Sequence, residues 1–99
     1  MAARVVLAPR ARADLFAMDS YLAERNPLAA ERLSERLLHA MQTLARMPGM
    51  GRSCADLGLP SVRRFFVEQH HIFYTPSASG IQVVRVIHGR RDVPTEVRQ

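Results

Sequence analysis

The sequence predicts an α+β domain in which a helical hairpin packs on one face of a mostly antiparallel sheet. Two amphipathic helical patterns follow each other directly in the first half of the chain, and three β-rich runs follow each other in the second half. One short β-rich run precedes the helices. The predicted order is therefore β-α-α-β-β-β, and 99 residues suffice for a single domain with one core.

The first predicted strand is the run "ARVVL" at residues 3–7, which stops before Pro9. Proline suits the first turn of a helix because its missing N–H needs no partner there. From that point apolar side chains recur at spacings of four, three and four, which is one face of an amphipathic helix. These side chains are Ala11, Leu15, Met18 and Leu22.

A second helix is predicted to begin within the segment "ERNP". Asn26 is a good N-cap, and Pro27 is a good first helical residue. The Gly/Pro-rich segment "MPGMG" at residues 47–51 ends this helix and opens a polar loop. So short a link between the two helices predicts a hairpin. The buried stripe of the second helix is expected to consist of Ala30, Leu33, Leu37, Met41 and Leu44.

Three further strands are predicted at residues 62–67, 70–76 and 81–88, and the short separators between them suit hairpin turns. Two helices cover only one face of a sheet, so a strand with a wet second face should alternate apolar and polar side chains. The last strand, "IQVVRVIH", is too apolar for that pattern. We therefore expect something other than the helices to cover part of the second face.

Strict alternation along the last strand places Val84 and Val86 toward the helices. Val83, Arg85 and Ile87 then form a groove on the opposite face, which we expect a partner to cover while Arg85 receives its carboxylate or phosphate. The N-terminal tail, the long loop or the C-terminal residues of the chain are the alternative cover. For Arg85 the alternative is an internal ion pair. The acids considered for that pair are Asp56, Asp92 and Glu68.

The net charge of +5 results from 14 basic and 9 acidic residues, and every basic residue is an arginine. A GC-rich genome favours arginine over lysine, but arginine also pairs bidentately with carboxylate or phosphate. An acidic partner, either nucleic acid or protein, is therefore expected. Strand alternation puts Arg63 and Arg64 on opposite faces. The candidate contacts with a target or acidic partner are Arg63, Arg64, Arg90 and Arg91.

Several classes of protein are excluded or disfavoured. A single cysteine, Cys54, excludes an intramolecular disulfide and fits a reducing compartment. No apolar run approaches the roughly 18 residues of a membrane span, and the first residues lack a signal-peptide pattern. We therefore expect a soluble cytoplasmic protein. No C-x-x-C or H-x-x-x-H spacing occurs, so neither a metal nor a cofactor is expected.

Four segments together resemble the ParE branch of the ParE/RelE toxin superfamily: "ERNPLAAERL", "MPGMGR", "HHIFYTP" and "VVRVIHGRRD". The resemblance runs from about residue 4 to residue 92. It implies the toxin of a type II toxin–antitoxin module, associated with inhibition of DNA gyrase and without established catalytic residues. It also implies a cognate antitoxin that has an acidic or amphipathic C-terminal segment and an N-terminal DNA-binding domain. The complex would be a heterotetramer or larger.

The RelE branch implies a different activity, ribosome-dependent cleavage of messenger RNA by lysines, arginines and often a C-terminal tyrosine. This chain has no lysine, and Val97 stands about where that tyrosine would fall, so the resemblance favours a toxin that is not an enzyme. His70 and His71 are adjacent in a strand, so they face opposite ways and cannot act as a close pair. If the chain is a nuclease, the candidate catalytic residues are His88, Arg90 and Arg91.

A third hypothesis is a toxin whose activity has decayed and which acts mainly as an antitoxin partner or corepressor. The basic character of the chain and an open sheet face fit this hypothesis equally well. If the chain is ParE-like, His88 is expected to be structural, with its ring bonded near the end of the strand.

Overall fold

A computed structural model describes residues 3–89 of the chain, and the predicted α+β architecture is confirmed. The helices are α1 (Pro9–Arg25) and α2 (Pro27–Arg46), and the strands are β1 (Arg4–Leu7), β2 (Arg52–Cys54), β3 (Leu59–Val67), β4 (His70–Ser77) and β5 (Gly80–His88). Two short 3₁₀ helices, Pro48–Met50 and Ala55–Leu57, flank β2. Neither helix of this described part is long and apolar enough to cross a membrane.

The five strands form one sheet in the order β1-β5-β4-β3-β2. β1 runs parallel to β5, whereas every other pair of neighbours is antiparallel. The first strand of the chain therefore pairs with the last one. At the opposite edge lies β2, a strand of three residues that the sequence pattern did not predict.

Both helices begin where the sequence predicted. Pro9 and Pro27 lie in the first turns, and the side chain of Asn26 accepts a hydrogen bond from the Ala29 N–H at 3.1 Å. This bond satisfies one of the backbone donors that the start of a helix leaves without a partner. The predicted stripes face the sheet, and their buried members are Ala11, Ala30, Leu37, Met41 and Leu44.

The second face of the sheet is partly covered by the segment between α2 and β3. Cys54 is fully buried there against Phe73 and Ile87. Leu57, Leu59, Val62 and Val84 pack around this smaller cluster. The long loop, one of the alternatives considered for the cover, thus accounts for the apolar character of the last strand at this end of the sheet.

The groove predicted from Val83, Arg85 and Ile87 is not an open surface, since all three residues are buried. Val83 belongs to the core under the helices, whereas Ile87 is buried on the opposite face. A β-bulge explains the error, because Val84 is an additional residue that has no partner in the β4 register. Side chains before the bulge therefore alternate between the two faces in the opposite sense to those after it. Val86 lies on the helix side as predicted, but Val84 does not.

The turn after α2 is fastened to the sheet by Tyr74. Its buried hydroxyl donates to the carbonyl of Pro48 at 2.7 Å and accepts from the Gly51 N–H at 2.9 Å. Arg63 donates from the same side of the sheet to the carbonyls of Gly51 at 2.9 Å and Gly49 at 3.1 Å. A Cβ atom on Gly51 would lie 2.5 Å from the tyrosine oxygen, so only glycine fits at this position.

Candidate functional site

Arg85, the arginine within the most apolar strand, forms an internal ion pair with Asp14 of α1. Its Nε and Nη2 atoms donate to the two carboxylate oxygens at 2.8 and 3.0 Å, and the Val86 N–H donates to the same carboxylate at 2.9 Å. The two charged side chains are only 8% and 13% exposed. An internal pair was among the predicted alternatives, but its acid is none of the three considered. These were Asp56, Glu68 and Asp92, of which Asp92 lies outside the described residues.

His70 and His88 lie together on the helix side of the sheet. They are paired in the register of β4 and β5, and their ring centroids are 5.2 Å apart. Both line a mostly apolar cavity of about 510 Å³ that also includes Asp14 and Tyr21. His70 Nδ1 is 2.7 Å from the carbonyl oxygen of Glu68. Because a carbonyl only accepts, Nδ1 carries the proton in this contact.

His71 faces the other side of the sheet, as the alternation of β4 predicted. Its ring lies 4.8 Å from the ring of Phe66 and 5.8 Å from that of Phe73. Its Nδ1 atom is buried and has no hydrogen-bond partner within the described part of the chain. Burial lowers the pKa of His71 below its usual 6.5, and the charges of Arg64 and His70 lower it further. The imidazole is therefore neutral at pH 7.

Arg64 lies on the same face as His71, directly opposite Arg52 in the register of β2 and β3. Within residues 3–89, no hydrogen bond or ion pair engages either guanidinium group. The two arginines line a cleft of about 390 Å³ together with Phe66 and His71. We call these four residues, Arg52, Arg64, Phe66 and His71, the arginine cleft.

Comparison with known proteins assigns the chain to a family. One protein-family model matches residues 5–93, and its description is the ParE toxin of the type II toxin–antitoxin system, parDE. The chain belongs to the ParE toxin family. Toxin ParE1 of Mycobacterium tuberculosis is 35% identical over 95 residues, covering 94% of this chain and 96% of that protein.

One further relative and one solved structure are similar to this ParE-family chain. Toxin RelE2 of Caulobacter vibrioides is 36% identical over 90 residues, covering 90% of this chain and 98% of that toxin. A chain from a chromosomal ParDE toxin–antitoxin system of P. aeruginosa matches with a TM-score of 0.71 at 18% identity. That match covers 88% of the present chain and 96% of the other, and it shows the shared fold.

The predicted contact residues of this ParE-family toxin are divided between the two faces. Arg63 lies on the helix side and is bound to loop carbonyls, whereas Arg64 lies in the arginine cleft. His88, the histidine of the predicted catalytic set, lies across the sheet from that cleft. Arg90 and Arg91 lie outside the described residues. Among residues 3–89, no three His, Cys, Asp or Glu side chains are close enough together to hold a metal ion.

Sequence reasoning missed two residues of this arrangement, Asp14 and Arg52. Asp14 precedes Leu15 of the apolar stripe of α1, and an acid at the border of a buried face is a signal for an internal partner. No comparable signal marked Arg52, since a strand of three residues in a polar loop has no readable alternation.

Proposed function

We propose that this ParE-family toxin inhibits DNA gyrase by binding it, and that a cognate antitoxin neutralises the toxin by direct contact in the cytoplasm. The family match carries the proposal, because it spans residues 5–93 and so includes the segment "HGRRD" that marks the ParE-like ending. The arginine-rich character of the chain supports a target or antitoxin with acidic surface.

The lining of the cavity that His70 and His88 share supports binding over catalysis at that cavity. RNA cleavage needs a general base and a charge-stabilising group at the same phosphate. His70 and His88 share a cavity whose lining residues include no arginine among those that the structure describes. Arg64 lies on the opposite face, and the guanidinium of Arg85 is already held by Asp14. Among the histidines and arginines considered for a nuclease, His71 and Arg64 share the arginine cleft, whereas His88 lies on the other face of the sheet. The set of His88, Arg90 and Arg91 stays a prediction, since its two arginines lie outside the described residues.

A supercoiling assay tests the proposal. Gyrase from the same source, relaxed plasmid and ATP are incubated with the purified toxin, with and without the antitoxin. We expect supercoiling to stop, or cleaved DNA to accumulate, and the antitoxin to reverse the effect. The variant Arg90→Gln/Arg91→Gln should lose inhibition. Arg12→Gln/Arg32→Gln is its charge-matched control, because both arginines are exposed on the helices.

Other results would select one of the two alternatives. If folded toxin leaves gyrase unaffected but cleaves messenger RNA on translating ribosomes, the RelE-type activity replaces the present proposal. If expression of the chain does not inhibit growth while the antitoxin still binds tightly, the chain acts as an antitoxin partner or corepressor. Both results would refute gyrase inhibition.

The surface of the helical hairpin supports the part of the proposal that concerns the antitoxin. Phe16 is 74% exposed and Tyr21 is 62% exposed on α1, while Leu28 and Leu38 are more than half exposed on α2. An amphipathic antitoxin segment would cover such apolar side chains. We propose an assembly that is a heterotetramer or larger, and light scattering on the co-purified complex measures its mass. A complex of one toxin with one antitoxin would contradict this stoichiometry.

A further inference from the structure

Two like charges face each other in the arginine cleft. Arg52 and Arg64 are Cα partners across β2 and β3, so their side chains leave the same face of the sheet as neighbours. Like charges in this position destabilise a sheet unless an opposite charge lies between them. No acidic side chain among residues 3–89 forms an ion pair with either arginine. The cleft thus has the electrostatic character of a site that receives an anion from beyond the described residues.

The other two residues of the arginine cleft supply aromatic surface and hydrogen-bonding capacity. Phe66, the penultimate residue of β3, is 56% exposed and lies beyond the part of β3 that pairs with β2. His71 is its Cα partner on β4 and buries a ring nitrogen that has no hydrogen-bond partner in the described part of the chain. The positive charge is therefore combined with an open aromatic ring and a neutral imidazole within one cleft.

We propose that the arginine cleft binds one nucleotide unit of a single-stranded nucleic acid, with the phosphate between Arg52 and Arg64 and the base against Phe66. Arginine forks match the geometry of phosphate oxygens, and base–aromatic stacking is the usual contact of single strands with protein. The volume of the cleft, about 390 Å³, lies within the range of small-ligand pockets, about 300–1,000 Å³.

A single strand fits this cleft better than a duplex or an acidic peptide. The bases of a duplex are stacked inside it, so they cannot stack on an aromatic side chain at the protein surface. A glutamate or aspartate side chain would satisfy the arginines but would leave the exposed ring of Phe66 without a flat partner. The proposal concerns binding at this face and does not depend on gyrase being the target.

Fluorescence anisotropy with a labelled short oligothymidylate and the full chain tests the proposal. We expect saturable binding that weakens as salt increases. Arg52→Gln/Arg64→Gln should weaken binding by about tenfold or more at low salt, and should reduce the salt slope by about 0.7 for each phosphate that the variant no longer neutralises. Phe66→Leu should weaken binding by about fivefold or more with the slope unchanged, since it removes stacking without removing charge.

Controls separate this site from a general effect of charge. Arg12→Gln/Arg32→Gln removes the same charge from exposed helical positions and should bind like the parent chain. An abasic oligonucleotide should bind the parent chain and Phe66→Leu equally well, because neither combination allows stacking. Circular dichroism verifies that each variant is folded, and Arg52→Gln alone, at an exposed position, replaces the double variant if that variant is unfolded.

Three results would overturn the proposal. The first is an equal loss of affinity in the two arginine double variants, which would mean that only net charge matters. The second is equal affinity of the parent chain for duplex and single-stranded DNA. The third is complete displacement of the oligonucleotide by polyglutamate at equal charge concentration, which would assign the cleft to an acidic protein.

Discussion

Asp14 and Arg85 form a charge pair that joins α1 to the last strand. The carboxylate accepts three hydrogen bonds, two from the guanidinium and one from the backbone of Val86. Because both side chains are nearly buried, loss of the carboxylate removes an opposite charge and three hydrogen bonds in a medium of low polarity. The arginine in the most apolar strand thus has a structural role within this chain.

Replacing this aspartate should be strongly destabilising. We expect Asp14→Ala to lower the free energy of unfolding by about 3–5 kcal/mol, as measured by urea denaturation. Asp19→Ala, at an exposed position of the same helix, should change it by less than about 0.5 kcal/mol. The double variant Asp14→Ala/Arg85→Met should recover part of the loss because it removes both buried charges of the pair. Equal effects of the two single variants would contradict the structural role of the pair.

His71 should make the stability of the protein depend on pH. Because the pKa of His71 is lower in the folded than in the unfolded chain, the unfolded chain binds the proton first as the pH falls. Its contribution to stability is therefore complete above pH 6.5 and decreases as the pH falls toward the folded-state pKa. The groups that oppose its protonation are Arg64 and His70.

The variant His71→Phe should remove the decrease in stability that His71 causes as the pH falls. Urea denaturation at a series of pH values between about 5 and 8 provides the measurement. His39→Gln, at an exposed position of α2, is the matched control and should retain the decrease. A pH profile of His71→Phe identical to that of the parent chain would contradict the assignment.

At the scale of elements, the hairpin turn between β3 and β4 contains a local conflict between sequence and conformation. Glu68 and Gln69 both have positive φ, at 52° and 68°, and neither is glycine. A two-residue hairpin of type I′ requires this conformation and favours Asn-Gly for that reason. Three contacts hold the turn. These are the ion pair of Glu68 with Arg36, the His70–Glu68 contact and the hydrogen bond from Gly89 to the Gln69 carbonyl.

The variant Gln69→Gly should therefore stabilise the domain. We expect a gain of about 1 kcal/mol in the free energy of unfolding, because a left-handed conformation costs a residue with a Cβ atom about that much. Gln42→Gly, at an exposed position in the middle of α2, should lower the free energy of unfolding by about 1 kcal/mol. In thermal denaturation, the melting temperature should rise in Gln69→Gly and fall in Gln42→Gly. A fall in both variants would contradict the prediction.

The signals that predicted the elements correctly were local ones. Asn26 and Pro27 specify the start of α2 through bonds within one turn, so the sequence alone revealed it. The bulge at Val84 has no comparable signature, since any valine can occupy it, and the error in the phase of β5 followed from it. β2 escaped detection because three residues are too few to show alternation.

The candidate site was predictable to a smaller extent than the fold. Alternation correctly separated Arg63 from Arg64 and His70 from His71, because it depends only on strand geometry. The partner of Arg64 in the arginine cleft could not be predicted, since Arg52 comes from another strand. The partner of Arg85 lies 71 residues earlier in the chain, and no periodicity within one element indicates such a pair.

At the scale of the whole molecule, Cys54 reports whether the second face of the sheet is closed. The residue is fully buried, and burial raises the pKa of its thiol above the usual 9.0. We expect an alkylating reagent to leave the native protein unmodified and to label it fully in urea. Gly51→Ala should accelerate labelling, because the added methyl group displaces the Tyr74 hydroxyl that fastens the preceding turn.

Gly49→Ala is the control for this experiment, since a Cβ atom on Gly49 would meet nothing within 4 Å. Mass spectrometry after timed exposure to the reagent measures the extent of labelling. Rapid labelling of the native parent chain would show that the segment between α2 and β3 does not cover this face in solution.

The parallel pairing of β1 with β5 affects the timing of folding during translation. Asp14 and Arg85 are separated by 71 residues, so at about 5–20 residues per second the ribosome adds the arginine about 4–14 s after the aspartate. Throughout that interval the nascent chain has an edge strand without a neighbour and a carboxylate without its ion-pair partner. The sheet closes only when β5 has emerged. Whatever target this toxin binds, the complete five-stranded sheet becomes available to it only after β5 has been synthesised.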